Sequence, residues 1–498
     1  MLAACAHRAP EAPVARDPVR EARDAALEQD RDQILDLLRL ASLAHAGGQE
    51  DVAERALRDA VPRIQDFQAD GELAAFVVSE SSKEWKGEPY EKMMAFLQLG
   101  WLLLADGDAG NALAMAKSAV LADSGSRQEK WGSDLVSAWV LQSLAYRAMG
   151  DADDADKALE RAVDAVWIRA LADELAQRLR DVDAGSGGEA EAAARALLLA
   201  GLPVGLSARP RDPVAAVDAA LSWATDARMV ALDGPRKTWP DGIGGLEKDA
   251  VRGAFDDLGP LAAAWKQAAA LDRAALEPIA ADEAALRAMA GSSLVLVVES
   301  GTAPVKLATG RYGEALQIVQ GDPGEMPYVT LDGQPDRPAL LDSVSWQATT
   351  RGGRRVDAFL RGKAMFKDAA PALGWLLVVA GDVANASNRR DQDDTLSTVL
   401  FLAGGAVWVA GALANPAADT RTWDLLPDAV WLVAADPAPG IHQLVVGDRT
   451  YTVDVPDAGM VVQWIPALAP GGADRFGDPC EQCSPPLAIP AKNPPEKR

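Results

Sequence analysis

GSSLVLVVESGTAPVKLATGR, residues 291–311, divides the chain. Helical patterns precede it, and strand and turn patterns follow. Residues 294–298 are five consecutive aliphatic side chains, three of them valine. β-Branched side chains fit a pleated surface and are stiff in a helix. A short apolar run bounded by Gly291, Ser292 and Ser293 on one side and by Ser300 and Gly301 on the other predicts a fully buried central strand. Pro304 removes a ladder donor at its own position, so the following VKLATG predicts a kinked edge strand. Glu299-Ser-Gly-Thr reads as ordinary turn chemistry, with a ligand loop as the alternative.

Working back toward the N-terminus, residues 22–182 carry amphipathic helical periodicity. Three segments share one template. Leu37, Ala41 and Ala44 precede Gly47-Gly48, and Ala53, Leu57 and Ala60 follow. Phe96, Gly100 and Leu103 precede Gly107-Asp108, and Ala112, Ala116 and Ala119 follow. Trp139, Ser143 and Tyr146 precede Gly150-Asp151, and Ala155, Leu159 and Ala162 follow. Each predicts helix, tight glycine turn, helix, with small residues where two helices meet closely. The offsets resemble the tetratricopeptide repeat, and such solenoids offer a concave face to a peptide or protein. Gly107 and Gly150 are 43 residues apart, longer than one repeat, so an insertion at 124–132 is expected between the units. Residues 183–290 predict a further helical region. The prolines of 202–213 mark a boundary within it, and the Gly/Pro segment 234–245 reads as a plain loop without phosphate-cradle context.

Beyond the pivot, residues 291–466 predict an α+β domain. Strands are expected at 328–331, 339–348, 354–359, 430–434, 442–446, 450–455 and 460–465, with Gly447-Asp448 turning a hairpin. The last four form a small antiparallel sheet. The apolar stretch 396–413 is close to the minimum length of a membrane span, with a buried helix as the rival reading. Residues 467–498, rich in Pro, Gly and charge, predict a disordered tail. The fold class is therefore α+β and multidomain: an N-terminal α-helical, TPR-like solenoid followed by a mixed, mainly antiparallel β-containing domain.

The 498 residues carry a formal charge of −24, which repels phosphate backbones and argues against a nucleic-acid partner. Cysteine occurs only as Cys5, Cys480 and Cys483. Leu2-Ala3-Ala4-Cys5 looks like a bacterial lipobox, which implies cleavage before Cys5 and its lipidation. The charged and apolar parts of a secretion signal are missing ahead of it, so the true start is expected upstream or the signal has been trimmed. The Pro-rich segment 7–20 suits a tether, making 1–21 lipobox and linker. Ala6 in place of aspartate favours the outer membrane. Cys480-Glu-Gln-Cys483 reads as a small-loop disulfide, with a redox pair or half of a metal site as alternatives.

Several stretches together resemble a family of bacterial outer-membrane lipoproteins with tetratricopeptide-like helices. They are Tyr90-Glu91-Lys92, Gly107-Asp108, residues 294–306 (LVLVVESGTAPVK), Ala418-Asp-Thr-Arg-Thr-Trp423 and Leu426-Pro427. The resemblance spans about residues 90–450. It implies an address and an architecture, and a link to lipoproteins that assist peptidoglycan synthesis, but no reaction.

No catalytic motif stands out. HExxH and Gly-x-Ser-x-Gly are absent, and His7, His45 and His442 are the only histidines. His442 reads as a solvent-facing strand residue. No cofactor or metal site is expected. Asp419, Arg421 and Trp423 form the best-defined polar cluster. It reads as a structural clasp in which Arg421 pairs with Asp419 and stacks on an aromatic ring, with a ligand contact as the alternative. The expected function is non-enzymatic: a lipid-anchored periplasmic adaptor binding an envelope protein through its helical repeats. The rivals are a peptidoglycan- or carbohydrate-binding or processing protein, which would need a carboxylate pair in a cleft, and a membrane-inserting component using 396–413.

Overall fold

The computed structural model describes residues 18–27, 32–65, 85, 87–124, 135–180, 182, 188–234, 246–270, 273–309, 315–350, 419–466 and 488–490. The chain is α+β: helices fill the N-terminal and middle parts, and mixed sheets follow.

The helices are α1 (Pro18–Leu27), α2 (Gln33–Ala46), α3 (Glu50–Gln65), α4 (Pro89–Ala105), α5 (Ala109–Ser124), α6 (Val136–Met149), α7 (Ala152–Arg180), α8 (Glu189–Ala208), α9 (Pro213–Asp233), α10 (Lys248–Ala269) and α11 (Arg273–Met289). Helix α1 begins inside the segment read as a tether. The three expected hairpins are α2–α3, α4–α5 and α6–α7. Each turns on a glycine at positive φ, namely Gly48, Gly107 and Gly150, where a side chain would be strained. Ala41, Ala44, Ala53 and Ala60 in the first hairpin, and Ala112, Ala116 and Ala119 in the second, are all buried. At Gly100 a Cβ would lie 2.5 Å from Leu141 Cδ2, so α6 packs closely on α4 there and a side chain at this position would displace the leucine. Trp139 and Tyr146 are half-buried and face cations, Arg161 at 5.9 Å and Lys117 at 5.4 Å.

Helices α8, α9 and α10 pack on one another, and α8 and α10 also pack against α7. Helix α8 runs through Pro203 to Ala208, so the boundary expected over 202–213 narrows to the four residues before Pro213. Among the described residues α8 is the one helix long and apolar enough to cross a membrane, and 61% of its apolar window is buried against its neighbours. Helix α11 returns over α7 and reaches the sheet.

The strands are β1 (Leu294–Ser300), β2 (Val305–Thr309), β3 (Ala315–Val319), β4 (Val329–Leu331), β5 (Gln334–Asp336), β6 (Ala339–Ser343), β7 (Ala429–Ala435), β8 (Gly440–Val446), β9 (Arg449–Val455), β10 (Gly459–Ile465) and β11 (Ala488–Pro490), with helix α12 (Val344–Thr350) after β6. A five-stranded sheet has the order β11-β10-β1-β7-β6. In it β1 is parallel to β10 and antiparallel to β7. A four-stranded antiparallel sheet, β5-β4-β8-β9, lies against one of its faces. The helices cover the other.

This layering explains the run of aliphatics in β1. Val295 and Val297 point into the helical core with Leu432 and Val462. Leu294, Leu296 and Val298 point into a second core with Val433, Val461, Leu444 and Val453. A strand buried on both faces has no polar alternation to show. The larger core runs without a break from Val19 on α1 to Trp464 on β10, so the helical and β parts are not separate cores.

Three expectations need correction, and a fourth is specified. Residues 339–348 are not one strand: β6 ends at Ser343 and α12 begins at Val344. The β7–β10 region does not form its own sheet, because β7 and β10 flank β1 while β8 and β9 join the second sheet. The edge strand expected after Pro304 is β2, which forms a two-stranded ribbon with β3. Within the segment read as a disordered tail, β11 pairs with β10 through Gly459↔Pro490 to Val461↔Ala488. The expected elements at 354–359 and 396–413, like Cys5, Cys480 and Cys483, lie outside the described residues.

Candidate functional site

The segment from Asp419 to Asp424 is built around short-range chemistry. Asp419 Oδ1 accepts from the Arg421 backbone N at 3.0 Å, an Asx turn. The Arg421 guanidinium closes on the same carboxylate through Nε–Oδ1 at 2.9 Å and Nη2–Oδ2 at 2.7 Å. Its Nη1 reaches Asp32 Oδ1 at the start of α2, 2.5 Å away. Burial works to raise the Asp419 pKa, but the bonded guanidinium outweighs it and holds the carboxyl below its ordinary value. Burial likewise opposes the Arg421 charge, yet Asp419 and Asp32 outweigh it and raise its pKa.

Two further charged residues complete the cluster. Glu91 is the N3 residue of α4 and forms a capping box with Glu88, whose backbone N donates to Glu91 Oε2 at 2.7 Å. The same oxygen takes Lys306 Nζ at 2.5 Å, and Oε1 takes the Trp423 backbone N at 2.9 Å. Lys306 also donates to the Arg421 carbonyl at 2.8 Å, which in addition accepts Trp85 Nε1 at 3.2 Å. The ammonium lies 5.8 Å from the Trp85 and Tyr90 ring centroids, a cation–π arrangement in a site closed to water. Glu91, Lys306, Trp85, Tyr90 and Trp423 are all buried. Burial, and then the charges of Glu91 and Glu88, push the Tyr90 phenol well above its usual pKa.

The outer contacts tie the same segment to α2. Trp423 Nε1 donates to Ser42 Oγ at 3.1 Å, and Arg39 Nε pairs with Asp424 at 2.8 Å. Arg421 and Asp419 thus pair as expected, while the Trp423 ring is held by α2. The residues that sequence reasoning did not single out are Glu91, Lys306, Asp32, Trp85 and Ser42. The available signal was a lysine between Val305 and Leu307 in an extended apolar stretch. Tyr90 and Glu91 of α4, Lys306 of β2 and residues 419–423 thus meet here from three separate parts of the sequence. Every contact described for Glu91 and Lys306 is internal, so this chemistry holds backbone in place rather than meeting solvent.

Two concavities lie away from this cluster. A cleft of about 250 Å³ opens between the two sheets beside the Glu299-Ser-Gly-Thr turn. Asp322, Glu325 and Asp448 line it with Arg449 and Tyr451, whereas the Glu299 carboxylate turns to the helical side and accepts from Gln98 Nε2 at 3.4 Å. Its loops cross tightly. A Cβ on Gly301 would lie 2.1 Å from the Asp322 carbonyl O, and one on Gly321 would lie 2.0 Å from the Thr302 carbonyl O. The glycine of this turn therefore serves a backbone crossing at the rim. A larger groove of about 730 Å³ runs between α1, α2 and α3.

The remaining histidines are placed by their neighbours. His45 is stacked on Trp464 at 3.8 Å and buried, and burial lowers its pKa to about 3, so it is neutral. His442 is less open than a solvent-facing strand residue would be. Its Nδ1 meets Asp332 Oδ2 and its Nε2 meets the Ala438 carbonyl, each at 2.6 Å. Among the described residues no three His, Cys, Asp or Glu side chains are arranged to hold a metal ion. No protein-family model, curated protein or solved structure matches this chain.

Proposed function

We propose that the protein is a scaffold of the bacterial cell envelope, held at the outer membrane by a lipidated Cys5, whose helical hairpins bind a protein partner. The carrying observation is the stack of α2–α3, α4–α5 and α6–α7 on one continuous core, with small residues buried at every hairpin interface. We read these hairpins as TPR-like. Such stacks present long surfaces built from many helices, which suits protein recognition. The polar cluster at Arg421 supports the same reading, because its groups are spent on joining helices to sheet. The sheets brace the stack rather than acting as a detached second module.

Two measurements test it. A Cys5→Ser variant should move from the membrane fraction to the soluble envelope fraction; unchanged fractionation counts against the anchor. Cross-linking of the tagged full-length protein should join the hairpins to an envelope protein. The alternative, binding of wall glycan, draws on the cleft beside Gly301, where Tyr451 supplies a ring face and the carboxylates accept from hydroxyl groups. Titration with soluble peptidoglycan fragments, followed at Tyr451 by NMR, decides it.

A further inference from the structure

The groove between α1, α2 and α3 differs in charge from the rest of the molecule. Its floor is apolar, with Leu40, Val52 and Ala56, and Leu27 stands at its lip 72% exposed. Arg23, Arg55 and Arg63 line it against one carboxylate, Asp59, in a chain whose net charge is −24. Two of these arginines are held in place: Arg55 Nη2 by Asp51 at 2.7 Å and Arg63 Nη1 by Gln33 at 2.8 Å. A concave apolar trough with guanidinium groups on its rim is the complement of a helix with one apolar and one acidic face. A flat anionic bilayer fits a concavity poorly. The 16 residues of α3 give a wall of about 24 Å, matching roughly four turns of a bound helix.

We propose that this groove seats an acidic amphipathic helix of the protein partner. The assignment rests on the scaffold reading and adds where the partner binds and what its docking segment is made of. Apolar side chains at helical spacing fill the floor, and Asp or Glu side chains on the flanks meet Arg23, Arg55 and Arg63.

The test places the photo-cross-linker p-benzoylphenylalanine at Leu27, and separately at Leu121 on α5, which is also 72% exposed. Both are made in the full-length protein in its own cells, and cross-linked peptides are mapped by mass spectrometry. From Leu27 the expected product is a partner peptide with acidic and apolar residues at helical spacing. Its yield should fall about tenfold in an Arg23→Glu/Arg55→Glu variant, since the rim charges steer and hold the segment. Both arginines are exposed, so this variant is expected to keep the wild-type circular dichroism. A partner cross-linked from Leu121 and not from Leu27 overturns the groove and leaves the scaffold reading standing. Products from Leu27 with phospholipid, with a second copy or with this chain's own residues overturn the groove as well. No protein product from either position overturns both.

Discussion

Lys306 Nζ lies 2.5 Å from Glu91 Oε2, with the two side chains 2% and 0% exposed, and this pair joins the first ribbon strand to the start of α4 across 215 residues. Removing one partner leaves a buried charge without its counter-ion. Lys306→Met is therefore expected to lower stability by about 3–5 kcal/mol, and Lys306→Met with Glu91→Gln should recover part of that loss. Urea unfolding of the single and double variants measures the coupling. Losses that simply add would show that the pair is not a unit.

Asp342 is the second long-range anchor. The β6–β7 register shifts between Leu340 and Asp342, which turns the Asp342 carboxylate toward the start of α6. There it accepts from the backbone N of Val136 at 3.0 Å and of Ser137 at 2.7 Å. Arg169 covers the carbonyls of Leu340 and Leu341 at 2.9 and 2.6 Å. Asp342→Ala leaves two buried donors unsatisfied and should cost about 1–3 kcal/mol. Hydrogen exchange should show faster opening at the first turn of α6, and unchanged protection there would contradict the assignment.

The loop crossing beside the cleft sets a steric expectation. Gly301→Ala would place a methyl group against the Asp322 carbonyl at a position of φ +80°. The expected loss is about 1–3 kcal/mol, with shifts confined to the Gly301 and Asp322 loops in NMR spectra. A neutral effect would mean that the two loops do not cross this closely.

His442 makes the β4–β5 hairpin sensitive to pH. Both of its ring nitrogens face acceptors, the Asp332 carboxylate and the Ala438 carbonyl, so the charged imidazolium satisfies both. The hydrogen bond to Asp332, with that to Ala438 second, raises its pKa above 6.5. The folded pKa is higher than the unfolded one, so the contribution is complete below about pH 6.5 and disappears as pH rises through the folded pKa. Chemical shifts of the His442 ring should titrate above the free value. An Asp332→Asn variant should bring that titration down, and an unmoved pKa would remove the Asp332 contact from the account.

Asp106, in the turn between α4 and α5, should shift stability with pH in the same direction, here because its charged form is disfavoured in the folded state. Burial, and then hydrogen bonding and charge from Glu54, raise its pKa from 3.8 to about 6. A carboxyl with a raised folded pKa loses stability as pH rises from its unfolded value through the folded one. Asp106→Asn is expected to raise the thermal midpoint at pH 7 and to have little effect near pH 4. A lower midpoint at pH 7 would contradict this.

Much of the architecture was readable because it is periodic. The hairpins announced themselves through alanines at helical spacing and a glycine turn, and β1 through an unbroken aliphatic run. The failures have local causes or none that a local pattern carries. Residues 339–348 alternate well enough for a strand throughout, yet Ser343 Oγ accepts from the Trp346 backbone N at 3.1 Å, an N-cap that starts a helix. That serine was the available signal. Strand β11 is three residues in a Pro-rich segment, and it exists only because β10 offers it an edge. The polar cluster was legible in part. Asp419 and Arg421 are two residues apart and betray each other, whereas Glu91 and Lys306 meet only in the folded chain.

The scaffold reading stands or falls on what touches the hairpins in the cell. The most direct measurement is residue-resolved cross-linking of the tagged protein in intact cells, with products assigned to α1–α7 or to the sheets. The expected result is one envelope protein joined reproducibly to the hairpin residues and lost when the hairpin surface is charge-reversed. Retention of glycan or lipid with no protein joined to α1–α7 would contradict it.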